Sequence, residues 1–392
     1  MQIAAALTPE DGLVLGEIGS VLIALGIAAF LASKFKFSAV PIFLCAGLFF
    51  GNGGIVELNL SDDFLNLGAQ IGAILLLLLL GLEYSAGELV DTVKERKSLG
   101  LIDLLANGLP GALFGLVMGW GLVGALVLGG ITYVSSSGIA AQLIKDGSLT
   151  GLTSTKRAIS VLVIEDLFLA VYLPILSAVI ASVALVTGLI SISVALLIAG
   201  GALLLAARGL HIPHAPNIMG DSATLLLTVF GAALLASGLA TYIGFSGAVA
   251  AFLVGLILTG DVAIVARVRL APLRDLFAAI FFLFFGLQTD PRDIPQVLIP
   301  ALILTVIGVA TKWFTAWWAM KDQEEERGVI RAAAVLIPRG EFSIVIAGLA
   351  ASATFAKDLQ SLTITYVILT TVLASILIRF CSNRPERYLQ KE

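Results

Sequence analysis

Two adjacent carboxylates interrupt an otherwise apolar stretch of this chain. Glu165 and Asp166 lie within 161–171, whose other residues are all apolar and include no turn residue. An ionisable side chain at membrane depth costs about 2.5 to 3.5 kcal/mol on insertion scales, and such residues are usually functional. Adjacent helix positions point about 100° apart, so the two carboxylates are predicted to have different roles.

The composition predicts a polytopic helical membrane protein, whose helices would hold this pair. Of the 392 residues, 59% are hydrophobic and 13% are charged, and the mean hydropathy is +1.04. In soluble domains about a quarter of the residues are charged. A transmembrane barrel would show short alternating segments, but 74–80 and 276–286 are unbroken apolar runs. The sequence has no lysine-rich run that would predict a nucleic-acid partner.

Thirteen stretches are predicted to span the membrane, since a span needs roughly 20 mostly apolar residues. Their limits are 13–32, 37–51, 64–82, 99–121, 122–142, 157–182, 185–207, 222–241, 244–259, 272–289, 295–320, 329–351 and 361–380. Across alternate loops, 19 of the 23 lysines and arginines fall on one side. Because cytoplasmic loops collect basic residues, we expect an outside N-terminus and a cytoplasmic C-terminus in a bacterial-type inner (plasma) membrane, surrounded by lipid.

The thirteen spans divide into six, one and six within a single transmembrane domain, 1–392. The first repeat would be 13–182, a linker helix 185–207 would follow, and the second repeat would be 222–380. Six-span units joined by one crossing helix enter the membrane from opposite sides, as the inverted repeats of secondary transporters do. The predicted fold class is therefore an all-α polytopic membrane protein with two inverted six-helix repeats.

Two spans in matching positions of the repeats are predicted to be broken at mid-depth. In the first repeat, 129–138 combines three glycines with four serine or threonine side chains. They are Thr132, Ser135, Ser136 and Ser137. In the second repeat, Pro338 removes a backbone donor and Gly340 loosens the helix. Broken helices in corresponding spans indicate a transporter's binding site, although small residues can also simply let helices pack closely.

Three further charged residues are predicted to lie at membrane depth. Lys312, Arg339 and Glu341 fall in spans of the second repeat, and with the acidic pair they make three acids against two bases, a formal charge of −1. Lys312 is expected to pair with one carboxylate of 165–166, and Arg339 and Glu341 are expected partly to satisfy each other. The alternatives are that Lys312 reaches towards the membrane surface and that Arg339 is a buried strut. Asp103 falls near a predicted span end, where a charge is ordinary.

One unpaired negative charge at membrane depth can accept either a monovalent cation or a proton. The two exclude each other at one carboxylate, and exclusion combined with alternating access describes an antiporter. Asp166 is the first choice for the cation- and proton-exchanging group and Glu165 for the partner of Lys312, but the reverse stays open. A cation channel would need no proton-accepting pair. An intramembrane protease would need a facing acid dyad, which adjacent residues cannot form.

Motifs along about 13–380 resemble the monovalent cation:proton antiporter-2 family. In the family's order they are Gly81-Leu82-Glu83, Ser135-Ser136-Ser137, the acidic pair followed by Leu-Phe-Leu-Ala-Val-Tyr172-Leu, Phe281-Phe282 through Gly286 with Asp290-Pro291, and Arg339-Gly340-Glu341-Phe342-Ser343. The acidic-pair motif and Arg-Gly-Glu-Phe-Ser-Ile together resemble the potassium/proton branch, whose regulatory domain is a separate soluble subunit.

This resemblance implies a sodium/proton-antiporter-like fold and a homodimer that exchanges K⁺ (or Na⁺) for H⁺ by an elevator-like displacement of a moving core. It implies no cofactor and no enzymatic activity. Many relatives carry a fused nucleotide-binding regulatory domain, but here only the short tail 381–392 follows the last span, so we expect a separate regulatory subunit or none.

The resemblance also carries residue roles. Asp166 matches the family's essential ion-binding aspartate, Glu165 the acid or amide before it, and Lys312 roughly the family's lysine. Sodium/proton relatives often have Asp at the position of Glu165 and glutathione-gated potassium relatives have Gln. Ion choice and charge stoichiometry therefore stay open at this point.

Overall fold

The computed structural model describes residues 9–34, 38–51, 53–54, 62–83, 86–181, 201, 222–242, 246–258 and 260–381. In these ranges the chain is α-helical with short connections and one 3-10 turn, Pro291–Asp293, and it contains no strand. The all-α fold class is confirmed for this part of the chain. The predicted linker helix 185–207 and the tail 381–392 lie outside the described residues, apart from positions 201 and 381.

The described helices are numbered α1 to α14 in chain order. They are α1 (Pro9–Lys34), α2 (Ala39–Phe50), α3 (Asp62–Glu83), α4 (Ala86–Val117), α5 (Gly121–Tyr133), α6 (Ser137–Asp146), α7 (Thr153–Ala181), α8 (Ser222–Tyr242), α9 (Gly247–Ile257), α10 (Asp261–Leu287), α11 (Ile294–Met320), α12 (Gly328–Leu336), α13 (Glu341–Leu349) and α14 (Ala356–Cys381).

Within the described residues, nine stretches are long and apolar enough to cross a membrane, and three shorter apolar helical segments accompany them. Two of the nine, Gly121–Asp146 and Gly328–Leu349, each consist of two half-helices. These two breaks are where the sequence predicts them. The total of thirteen spans stays a prediction, because 185–207 is not described.

Two helices begin well before their predicted limits: α4 begins at Ala86 and not at 99, and α10 begins at Asp261 and not at 272. The early turns of α10 show why. They bury Ala266 and Leu270 and expose Arg267 and Arg269. Arginines mark the end of the apolar part of a helix, but they do not end the helix, which continues in the same hydrogen-bonding pattern with its charged side facing outward.

The helices form two packed groups. In the first, α3 lies against α9 and α10, α2 lies against α10, and α8 lies against α9. In the second, α4 packs on α5 and α7, and α11 packs on α4, α12 and α14. The half-helix α13 packs on α5 and α14 in the same group. The two groups touch mainly where α14 meets α2 and α7 meets α9. The second group carries all the charged residues predicted at membrane depth.

Glycines bring the helices of the first group into backbone contact. A Cβ atom on Gly47 of α2 would lie 2.3 Å from the carbonyl oxygen of Leu283 on α10. On α3, a Cβ atom on Gly81 would lie 2.2 Å from the carbonyl oxygen of Phe252 on α9. Small residues at helix crossings are typical of membrane proteins, where close packing replaces the hydrophobic effect as the force between helices.

Candidate functional site

The two broken spans meet at their unwound segments. Between α5 and α6 the chain is extended at Val134 and Ser136, and the Ser136 side chain caps α6 by accepting from Ile139 N at 3.2 Å. Ser136 N donates to Pro338 O at 2.9 Å, and Ser135 Oγ donates to the carbonyl oxygen of Leu336 at 2.7 Å. The predicted breaks therefore lie in direct contact, and together they form a crossing.

Arg339 neutralises the ends of two half-helices at this crossing. The residue is fully buried. Its Nη2 and Nε donate to Thr132 O near the end of α5, at 2.7 and 3.2 Å. Its Nη1 donates to the carbonyl oxygens of Leu336 and Ile337 at the end of α12, at 3.1 and 2.8 Å. Carbonyls at a helix C-terminus lack intrahelical partners and carry partial negative charge, so one guanidinium satisfies both ends.

Glu341 lies at half-helix N-termini, whose partial charge is opposite to that of the C-termini that Arg339 contacts. Its carboxylate accepts from Ser136 Oγ at 2.6 Å and from Gly138 N at 3.4 Å, at the N-terminus of α6, and Glu341 is itself the first residue of α13. Helix N-termini carry partial positive charge and attract carboxylates. The prediction that Arg339 and Glu341 partly satisfy each other is wrong: within the described residues no ion pair joins them, and each contacts half-helix ends of opposite partial charge.

Lys312 lies between two carboxylates. Its Nζ is 2.7 Å from Glu165 Oε1 on α7 and 3.0 Å from Asp103 Oδ1 on α4. The Lys312 and Glu165 side chains are inaccessible to solvent, so Lys312 does not reach to the membrane surface. Ser135 fixes Glu165 further, because its backbone N–H donates to Oε2, and its Oγ lies 3.1 Å from Oε1. The predicted pairing of Glu165 with Lys312 is confirmed.

Asp103 is the residue that the sequence interpretation missed. It lies near the start of the apolar span Ser98–Val117, as predicted, but it is fully buried and not an ordinary charge at the membrane surface. Its Oδ1 accepts from Asn107 Nδ2 at 2.8 Å and from Thr315 Oγ1 at 2.9 Å, in addition to Lys312. Thr311 Oγ1 donates to Asn107 Oδ1 at 2.8 Å. The four-residue spacings, 103 to 107 on α4 and 311 to 315 on α11, are the signal that could have identified this polar face.

The buried charge at the crossing is more negative than predicted. Adding Asp103 makes four acids, with Glu165, Asp166 and Glu341, against the two bases Lys312 and Arg339, and the formal charge becomes −2. The predicted value of −1 omitted Asp103.

The other predicted site residues also lie at or beside the crossing. Asp166 follows Glu165 on α7 and is 1% exposed. Thr132 uses its hydroxyl to donate to Asn107 O at 2.9 Å, and its own carbonyl accepts from Arg339. Ser137 is half-buried at the first position of α6. Their roles as ligands stay predictions.

A cavity of about 740 Å³ separates the two helix groups at one end of the molecule. The first group contributes the N-terminal part of α3, the ends of α8 and α10 and the start of α9, and the second contributes α13 and the start of α14. Four carboxamides line it. They are Asn66, Gln70, Gln288 and Gln360. Carboxamides provide oxygen acceptors for a hydrated cation without adding fixed charge.

The sequence matches the family model described as "Sodium/hydrogen exchanger, transmembrane" over residues 20–383. The chain belongs to this sodium/hydrogen exchanger family. Its members are transporters, which agrees with the expectation of a non-enzymatic protein and with the resemblance carried by the motifs.

Two similar proteins align with this chain over almost the whole length of both partners. The chain is 30% identical over 392 residues to the K(+)/H(+) antiporter subunit KhtU of Bacillus subtilis, which covers 96% of this chain and 95% of that protein. It is 28% identical over 389 residues to the ammonium/H(+) antiporter subunit AmhT of Alkalihalophilus pseudofirmus, with 95% of each chain covered.

A solved structure shows the same fold. The sodium proton antiporter MjNhaP1 of Methanocaldococcus jannaschii aligns with a TM-score of 0.69 and 21% sequence identity, over 93% of this exchanger-family chain and 99% of that one. The sodium/proton-antiporter-like fold expected from the motifs is therefore confirmed.

Proposed function

We propose that this protein is a monovalent cation/proton antiporter that exchanges K⁺ for H⁺ across the inner membrane. Family membership supports antiport, and the similarity to a protein named as a K(+)/H(+) antiporter subunit favours potassium. The observation that carries the proposal is the buried cluster at the crossing, where Glu165 is held by Lys312 and Asp166 lies one position further along α7.

Asp166 is the exchanging group in this proposal. With a proton on its carboxyl group the site holds no cation, and loss of that proton leaves a carboxylate that binds a monovalent cation. Both states neutralise the same charge, so proton and cation compete. Glu165 does not compete for the cation, because Lys312 Nζ lies 2.7 Å from its Oε1 and the backbone N–H of Ser135 donates to its Oε2.

The broken helix supplies further oxygen ligands. Hydroxyl groups of Ser135, Ser136 and Ser137, with Thr132 behind them, and backbone carbonyls of the unwound segment replace part of the hydration shell of the cation. Arg339 and Glu341 support this arrangement by neutralising the helix ends, so that the unwound backbone can remain at membrane depth.

Movement of the second helix group against the first provides alternating access in an elevator-like manner. The smaller contact between the groups and the cavity of about 740 Å³ between them support this step. The first group, held at its glycine crossings, would form the homodimer. A separate soluble regulatory subunit is proposed because two similar proteins are named as antiporter subunits.

Cation-dependent proton flux in reconstituted vesicles tests the function. Purified protein is placed in vesicles with an internal pH dye, and K⁺, Na⁺ and NH₄⁺ are added in turn, with choline as the inert control. We expect K⁺ to drive proton movement most strongly. A response to Na⁺ without a response to K⁺ would contradict the choice of potassium, and cation flux without coupled proton flux would indicate a channel.

A further inference from the structure

Lys312 has a second carboxylate partner that the proposed exchange at Asp166 does not use. Its Nζ lies 2.7 Å from Glu165 Oε1, which already balances the ammonium charge, and 3.0 Å from Asp103 Oδ1. All three of these paired residues are fully buried. A buried ion pair contributes little to stability once the cost of taking both charges out of water is counted. The second carboxylate therefore calls for an explanation other than stability.

The oxygen of Asp103 that contacts the lysine is held in position by two helices. Besides Lys312, Oδ1 accepts from Asn107 Nδ2 on α4 at 2.8 Å and from Thr315 Oγ1 on α11 at 2.9 Å. Thr311 Oγ1 donates to Asn107 Oδ1 at 2.8 Å and gives the two helices a further contact. Thr315 lies three positions after Lys312, so both face α4 from the same side of α11. Asp103 is therefore a fixed partner for the ammonium group.

The two carboxylates reach the ammonium group from different helices. Asp103 lies on α4 and Glu165 on α7, and both helices pack on α11, which carries Lys312. Among the described residues these are the two carboxylate partners of Lys312, and neither is Asp166, the neighbour of Glu165 in the chain. A lysine side chain is a point charge on a flexible four-carbon stem, so a lysine with a single partner can turn to another acid nearby. Partners on two separate helices restrict that movement.

We infer that Asp103 is a positioning residue: together with Glu165 it keeps the ammonium group of Lys312 away from Asp166, so that the Asp166 carboxylate remains available to the transported cation. The inference rests on the proposed function, in which Asp166 binds that cation. An ammonium group paired with Asp166 would take the place of a monovalent cation, because each neutralises the same carboxylate. Asp103 thus raises the affinity for the cation without contacting it.

Asp103→Asn tests this role, because the amide keeps the size of the side chain but leaves Lys312 with one carboxylate partner. We expect the half-saturating K⁺ concentration of K⁺-driven proton flux in vesicles to rise about tenfold, within the range of coupling between residues of one charged network. The maximal rate at saturating K⁺ should stay within about twofold of wild type, since a competitor is overcome by more cation. A merely structural defect would instead lower the maximal rate.

Two comparisons separate the position of Lys312 from the charge of Asp103. Thr315→Val, the matched control, removes a donor to Asp103 but keeps the ion pair, and it should raise the half-saturating K⁺ concentration less than Asp103→Asn does. In a Lys312→Gln background there is no ammonium group to hold, so adding Asp103→Asn should weaken K⁺ binding clearly less than it does in wild type. Stabilisation by K⁺ against thermal unfolding in detergent measures this binding without requiring transport.

A structure of the Asp103→Asn variant locates the ammonium group directly. We expect cryo-electron microscopy of the purified variant, in buffer free of K⁺ and Na⁺, to show Lys312 Nζ in contact with the Asp166 carboxylate. A lysine that stays on Glu165 alone would overturn the inference, as would an unchanged half-saturating K⁺ concentration or an equal loss of K⁺ binding in the Lys312→Gln background. Wild-type protein that exchanges no cation for protons would instead refute the proposed function, while the position of Lys312 in the variant would still decide the inference.

Discussion

Two groups of buried charges at the crossing differ in how they are neutralised. Arg339 and Glu341 face half-helix ends of opposite partial charge, and each is satisfied by backbone and hydroxyl groups. Lys312 faces two carboxylates, and Asp166 lies beside them. Helix ends cannot change their charge, whereas carboxylates gain and lose protons. The comparison separates charges that hold the crossing together from charges that can take part in exchange.

The largest expected effect on the exchanging side comes from Asp166→Asn. The variant has no carboxylate to bind the cation, so we expect cation-dependent proton flux in vesicles to fall to the level of empty vesicles. The protein should remain monodisperse in detergent, because the amide has nearly the same shape. Normal exchange by a folded Asp166→Asn protein would show that the site is assigned to the wrong residue.

Among the charges that hold the crossing together, Arg339 is tested by Arg339→Met, which should chiefly reduce the thermal stability of the protein. Carbonyls at the ends of α5 and α12 would lose their donor, and each buried unsatisfied group costs about 1 to 3 kcal/mol. We expect a clearly lower unfolding temperature in detergent. Arg339→Lys, which keeps the charge but not the forked geometry, should fall between Met and wild type. If Arg339→Met were as stable as wild type but inactive, the division between the two groups would not hold.

Glu165→Gln should have a smaller effect. Glutamine keeps one oxygen that can accept from Lys312, while its amide nitrogen then faces the backbone N–H of Ser135. We therefore expect exchange to persist with a loss of about tenfold or less, which corresponds to about 1.4 kcal/mol in the barrier. Because one negative charge is removed beside Lys312, the dependence of exchange on an imposed membrane potential should change. Exchange with unaltered voltage dependence would count against a role for Glu165 in the charge balance.

The smallest effect is expected away from the crossing, in the loop between α11 and α12. Burial acts to raise the pKa of Glu325, but hydrogen bonds from Ser154 and Arg331 outweigh it and hold the pKa below its ordinary value of 4.5. A lowered folded-state pKa means that this contact stabilises the protein above about pH 4.5 and that the contribution disappears as the pH falls through the lowered value.

Glu325→Gln should therefore lower stability by about 1 kcal/mol or less near pH 7 and by nothing at strongly acidic pH. Thermal unfolding of both proteins in detergent at the two pH values measures the difference. Unchanged exchange in vesicles is the expected control result. A stability difference that grows on acidification would have the wrong sign for this account.

Much of the candidate site could be predicted because charged and helix-breaking residues are easily recognised in apolar stretches of sequence. Glu165 and Asp166 stand out in an apolar run, and Pro338 and Gly340 break a helix by their own backbone chemistry. Asp103 could not be distinguished in this way, because basic residues precede its span and place it near an apparent boundary. Its burial depends on α4 being longer than its apolar part.

The sequence by itself determined the class of the protein, the two breaks and the residues that carry charge at the crossing, with the exception of Asp103. These follow from local properties: the cost of exposing polar groups to lipid, and the loss of helical hydrogen bonds at proline. Only the tertiary structure decided the partners. Lys312 lies 147 positions from Glu165 and 209 from Asp103 in the chain, and Arg339 lies 207 from Thr132. Packing of α4, α5, α7, α11 and α12 brings these groups within hydrogen-bonding distance, and electrostatics at that range depends on position and not on sequence spacing.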